Sequence, residues 1–167
     1  MIQCWLEIAQ GELGINERDN KDRIREYFIE TGMLEYWEYD KVVDWCSIFG
    51  NFCLMKDFYP GTGSPAAISF LKYGIKLDEP REGCGVVLAR INPLDWRSHF
   101  GFFLDMDKVR IKLLGGNQGN SVSKAWYLKA RIRKNGLRWP ATLNTDYFMP
   151  PRRDIFRGGY EQNLAVT

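Results

Sequence analysis

The chain has 167 residues, 45% hydrophobic and 26% charged, with a formal net charge of +2. That length suits one domain with its own core, and the composition excludes a disordered or fibrous chain. No apolar run approaches the roughly 18 residues of a membrane span, so membrane insertion is not expected. The N-terminus lacks the basic segment and long apolar core of a secretory signal, so synthesis in the cytoplasm is expected.

The small net charge hides an asymmetry. Residues 1–60 carry twelve acidic against six basic side chains, whereas residues 108–140 carry nine basic and no acidic ones. A basic half suits a polyanion, either nucleic acid or an anionic cell-wall polymer; a merely solvated face fits as well.

In chain order, residues 3–10 put Trp5, Ile8 and Ala9 on one helical face, with Gly11 or Gly14 as the stop. Asn20 is placed to cap a second helix whose Ile24, Tyr27 and Phe28 share a face, and Gly32 ends it. A third helix is predicted from Asp44 or Trp45 through Leu54. Ser64-Pro65 reads as the start of a fourth, running to Lys72 and closed by Gly74.

The character then changes to strands. "GVVLAR" at 85–90 is short, apolar and β-branched, and "NPLDW" is a turn. "HFGFFLDM" and "VRIKLLGG" flank Asp107-Lys108 as a hairpin. "WYLKARIRK" alternates as one strand, and "NGLRWP" follows as a turn and a last short strand. Helices first and strands second predict an α+β fold, with the helices packed on one face of an antiparallel sheet. After Pro140 the pattern fades, so residues 1–140 are expected to form the domain and 141–167 an extension.

Cys4, Cys46, Cys53 and Cys84 are irregularly spaced and contain no CxxC pair, which predicts reduced thiols and neither a metal site nor a cofactor. Cys46 falls at the start of the third helix, where the dipole and unpaired N–H groups favour a thiolate; Cys53 lies two turns inside. A thiol nucleophile needs a base, and His99 is the one histidine of the chain. Strand alternation puts His99, Gly101 and Phe103 on one face, with Gly101 leaving room for a substrate backbone. Asn117 and Gln118, after two glycines that let the chain approach closely, are both able to orient the imidazole.

These pieces, in order, resemble a known family. "WLEIAQGELGINE", "DWCSIFGNFCL", "SPAAISFLKYGIKLDEPREG", "SHFGFFL", "LLGGNQGNSVS" and "LRWP", spread over residues 5–140, resemble the phage-associated, CHAP-like branch of the NlpC/P60 superfamily. These are papain-like cysteine hydrolases of bacterial cell walls. The resemblance implies Cys46 as nucleophile, His99 as general base and Asn117 as the residue orienting its ring, with Gln118 as second choice. It implies substrate contacts at Trp45, Trp96, Gly101 and Gln118. Glu12 and Glu17 fall on the family's E-x-x-x-x-E element, where a capping or solvated role competes with a substrate contact. The implied reaction is hydrolysis of a peptidoglycan amide, as an N-acetylmuramoyl-L-alanine amidase or a stem-peptide endopeptidase. The implied setting is an endolysin-type monomer that reaches the wall through a holin or a virion or secretion apparatus, with no nucleic-acid partner. A delivered antibacterial effector of the same fold, or a non-catalytic wall-binding protein, are the alternatives. The chain departs from the family at Gly83-Cys84, where an aspartate commonly follows the glycine, and in the long "NPLDWRS" before His99.

Overall fold

The computed structural model describes residues 4–37, 44–91 and 94–141. The expectation of an extension over 141–167 therefore lies, past Ala141, outside the described residues. Helices α1 (Cys4–Gly11), α2 (Lys21–Glu30) and α3 (Cys46–Lys56) precede the whole sheet. The strands are β1 (Ile75–Lys76), β2 (Gly85–Ala89), β3 (Ser98–Met106), β4 (Arg110–Gly115), β5 (Ser123–Leu128) and β6 (Ile132–Trp139). They form one antiparallel sheet in the order β1-β6-β2-β3-β4-β5, so the fold is α+β. Among the described residues, no helix is long and apolar enough to cross a membrane.

Helix α3 is the centre of the molecule. Every residue from Cys46 to Leu54 is buried. A helix apolar all round must be enclosed, and α3 is: β3 lies on one side, and α1 and α2 on another. Tyr27 of α2 packs its ring 5.5 Å from Phe49 and 4.6 Å from Phe52. Burying each such ring contributes about 1.5–3 kcal/mol.

The approach of α3 to β3 is set at Gly50. A Cβ there would stand 2.4 Å from Cε1 of Phe100. Phe100 in turn stacks on Phe70, with centroids 3.7 Å apart. That stack holds the segment Ala67–Lys72 against the sheet.

A second core lies on the other face of the sheet, built from Cys84, Val86, Leu88, Phe103, Ile111 and Leu113. Ile132, Leu137 and Tyr127 pack against it. Ile132 and Leu137 reach it because the chain leaves β5 at one edge and returns as β6 between β1 and β2.

Four sequence expectations are corrected. "WYLKARIRK" is not one strand: a 3-10 turn at Lys129–Arg131 divides it, and its halves join opposite sides of the sheet. Alternation reports which face a side chain takes, not which strand it pairs with, so it runs through the break unseen. "NGLRWP" is not a turn and a new strand but the end of β6, with Asn135 at φ 61 where pairing to β2 slips. Ser64-Pro65 opens no α-helix: Ser64 Oγ accepts the Ala66 N–H at 3.2 Å, but Ala66 is extended and only Ala67–Lys72 turns, as 3-10. Asn20 does precede α2, but its side chain turns away and accepts the Asn16 N–H at 3.2 Å.

Gly50→Ala sets two effects against each other. Alanine gains about 1 kcal/mol of helix propensity, while overpacking a filled core costs about 1–3 kcal/mol. Phe100 is wedged against Phe70 and has little room to yield. The variant is expected to unfold at lower urea than the parent; an equal or higher midpoint would contradict the tight α3–β3 contact.

Candidate active site

Cys46 is the first residue of α3, with Trp45 as the preceding cap position. Two contacts fix this helix start. The Trp45 indole N–H donates to Glu17 Oε1 at 2.7 Å. The Ser47 hydroxyl donates to the Ser64 carbonyl at 2.9 Å. Glu17 thus holds the residue beside the thiol. Glu12 sits elsewhere, bound by Arg23 at 2.5 Å and by the Tyr27 hydroxyl at 2.6 Å. Burial raises its pKa, but the hydrogen bonds from Arg23 and Tyr27 and the charges of Arg23 and Lys56 together bring it below the usual range. Both glutamates are engaged within the fold.

At Cys46 the helix start and burial oppose each other. Burial pushes the thiol pKa up. The backbone N–H of Phe100 pulls it down, Asp44 raises it, and Arg90 and the Ser47 N–H lower it again. Burial wins, so the resting group is a thiol, which corrects the expected thiolate.

His99 is the second residue of β3 and is buried, opposite Leu88 of β2. Its Nε2 stands 3.0 Å from Gln118 Oε1. Burial lowers its pKa to about 4, helped by Arg90 and Arg131 and opposed by the Gln118 bond and Asp44. The imidazole is therefore neutral near pH 7. Phe100, whose N–H is near enough to lower the Cys46 pKa, is the next residue along β3. The thiol thus lies against the strand one residue from His99, although no direct Cys46–His99 hydrogen bond forms among the described residues.

The loop after β4 decides the ring's partner. Gly116 lies so close to Trp45 and Phe49 that a Cβ would meet each at 2.6 Å. This tucks the loop inward and buries Gln118, while Asn117 at φ 55 is left facing outward. Asn117 Nδ2 donates to Asp44 Oδ1 at 3.3 Å, and Asp44 is clamped by Arg90 at 2.5 and 2.7 Å. The ring-orienting position expected for Asn117 is taken by Gln118.

The other expected contacts divide. Gln118 is committed to His99 and, through Nε2, to the Ser123 carbonyl at 2.5 Å, so it is not placed to bind substrate. Gly101 has no open space: a Cβ would meet Leu113 Cβ and the Leu114 carbonyl at 3.1 Å, because β4 covers it. Trp45 is 1% exposed and braces the site from within. Trp96, 67% exposed, does rim a pocket of about 410 Å³ that opens onto Cys46. Tyr36, Asp44, Pro65 and Ile68 also line it.

Two features escaped the sequence reading. The Asp44–Arg90 clamp joins the start of α3 to the end of β2. Tyr127 places its hydroxyl 3.0 Å from Gln118 Oε1 and its ring 5.3 Å from His99. Only the pairing of β5 with β4, Tyr127 opposite Ile111, would have revealed it. Among the described residues no group of three or more His, Cys, Asp or Glu side chains is arranged to hold a metal.

Alkylation checks the electrostatics. Cys46, Cys53 and Cys84 are buried and Cys4 is half-buried. Iodoacetamide at pH 7 is expected to label Cys4 ahead of Cys46. Labelling of Cys46 should climb steeply as pH rises past the ordinary thiol range, since burial holds its proton. Peptide mapping after timed labelling reads both; Cys46 labelled first, with a flat profile down to pH 6, would mean a standing thiolate. Compared with protein-family models, curated proteins and solved structures, the chain matches none.

Proposed function

We propose that this chain is a cysteine hydrolase of the CHAP-like, NlpC/P60 kind that cleaves an amide bond of bacterial peptidoglycan. One observation carries the reading. A thiol at a buried helix start lies near the strand that holds a neutral imidazole, and that imidazole's Nε2 is engaged by a carboxamide. The pocket of about 410 Å³ opening onto the same thiol supports it.

The chemistry follows from two neutral partners. As substrate enters, the Cys46 proton passes to His99 Nδ1 and Sγ attacks the amide carbon. The carbonyl oxygen becomes an anion. The first N–H groups of α3, which have no intrahelical acceptors, are the donors at hand for it. Collapse breaks the C–N bond, and His99 returns the proton to the leaving amine. Water then attacks the thioester with His99 again as base, releasing a carboxylate and restoring the thiol.

The acid limb of the rate profile should be low. A base with its pKa near 4 stays unprotonated until well below neutrality, so kcat/KM is expected to fall only as pH drops toward that value. On the fold class alone, the alternatives of a delivered effector and a wall-binding protein share these residues. Cys46→Ala and His99→Ala should each reduce clearing of purified sacculi by at least about a thousandfold, with unchanged circular dichroism. Mass spectrometry of the digest names the bond. Clearing retained by Cys46→Ala would reject the mechanism and favour a non-catalytic protein.

A further inference from the structure

The proposed hydrolase needs His99 to keep one nitrogen bare, and the surroundings of its ring decide which. Gln118 Nε2 points at two carbonyl oxygens, Ser123 at 2.5 Å and Leu113 at 3.4 Å. Both are acceptors, so that end of the carboxamide must be its NH2. Its oxygen therefore faces His99 Nε2 at 3.0 Å. A carbonyl oxygen set against a bare ring nitrogen would place lone pair against lone pair. Nε2 must carry the proton, which leaves Nδ1 as the base.

The carboxamide oxygen has a second donor. The Tyr127 hydroxyl lies 3.0 Å from it and 3.4 Å from His99 Nε2. Nε2, already a donor, cannot accept, so the hydroxyl gives its proton to Gln118 Oε1. Tyr127 is held in turn: its ring lies tilted against His99, and the Arg131 guanidinium covers it at 5.2 Å while bonding the Ala89 carbonyl at 2.9 Å. Burial raises the Tyr127 pKa to about 12, which keeps the hydroxyl a donor over the working range.

We propose that Tyr127 is a positioning residue that, through Gln118, holds His99 as its Nε2–H tautomer and so reserves Nδ1 for the Cys46 proton. This rests on the hydrolase reading for its use in catalysis, but the tautomer itself does not. Without the hydroxyl, Gln118 Oε1 loses one of two donors, and the carboxamide has less to fix it against the ring. The ring is then free to sample the other tautomer, whose Nδ1 is blocked by a proton.

The test exploits the composition. His99 is the one histidine, so a chain labelled with 15N-histidine shows a single imidazole. At pH 7 the parent is expected to show Nε2 protonated and Nδ1 bare; a protonated Nδ1 in the parent overturns the proposal without any variant. In Tyr127→Phe the Nδ1–H population should grow several-fold, and kcat should fall about tenfold with KM unchanged, as expected for a displaced base. An unchanged spectrum and kcat overturn it.

Tyr73→Phe is the control. It removes another buried hydroxyl, one with no hydrogen-bond partner, and should leave tautomer and kcat as they are. An equal shift in this control would show general loosening and overturn the role of Tyr127. If the spectra behave as expected but no amide is cleaved, the positioning stands and the hydrolase reading fails. If cleavage needs Cys46 while Tyr127→Phe leaves the spectrum unmoved, the reverse holds.

Discussion

The contact of Phe100 with Gly50 is the constraint on which the rest depends. It lets α3 lie directly on β3, with no side chain between helix backbone and aromatic ring. The same approach brings the helix start to the strand, near enough for the Phe100 N–H to lower the Cys46 pKa, with His99 the preceding residue of that strand. Phe70 closes the far side of Phe100 and brings with it the segment that walls the pocket. One close-packed ring thus fixes the core and the candidate site together. Protein interiors are dense enough that such a contact transmits position rather than absorbing it.

Burial, more than the helix dipole, governs the electrostatics of the site. It pushes the thiol up and the imidazole down, so both groups rest neutral. The dipole effect is worth about 0.3–1 kcal/mol at exposed ends, which desolvation of a buried group readily exceeds. The charged groups nearby are a geometric clamp. Asp44 and Arg90 are partly exposed, so their pair adds little stability, but it ties α3 to β2 beside the thiol. The basic half of the chain is likewise partly structural. Arg131 bonds the Ala89 carbonyl, Arg133 the Ser98 hydroxyl, and Arg138 the carbonyls of Tyr73 and Gly74. Three of the nine basic residues that suggested a polyanion are therefore cross-links between strands and loops.

Local signals were read well where neighbours in sequence decide the outcome. Helical periodicity located α1 and α2, and the apolar run beginning at Cys46 located α3. The hairpin at Asp107 was visible because its turn chemistry is local: one carboxylate oxygen accepts the N–H groups of Val109 and Arg110. The break at Lys129 was not, because crossing to the far side of the sheet leaves no mark on alternation. The choice between Asn117 and Gln118 was likewise hidden, since it depends on how closely Gly116 approaches Trp45.

The sequence by itself determined the helix-then-sheet order, the third helix through Leu54 and the position of Cys46 at its start. Each follows from periodicity, caps and apolar content within about a dozen residues. It also restricted any imidazole chemistry to His99. Only the tertiary structure decided that the thiol rests protonated, that Gln118 rather than Asn117 meets the ring, and that Tyr127 stands behind Gln118. Those outcomes depend on desolvation and on distances between residues far apart in the chain. Burial and through-space geometry come into being only when α3, β3 and β5 pack together.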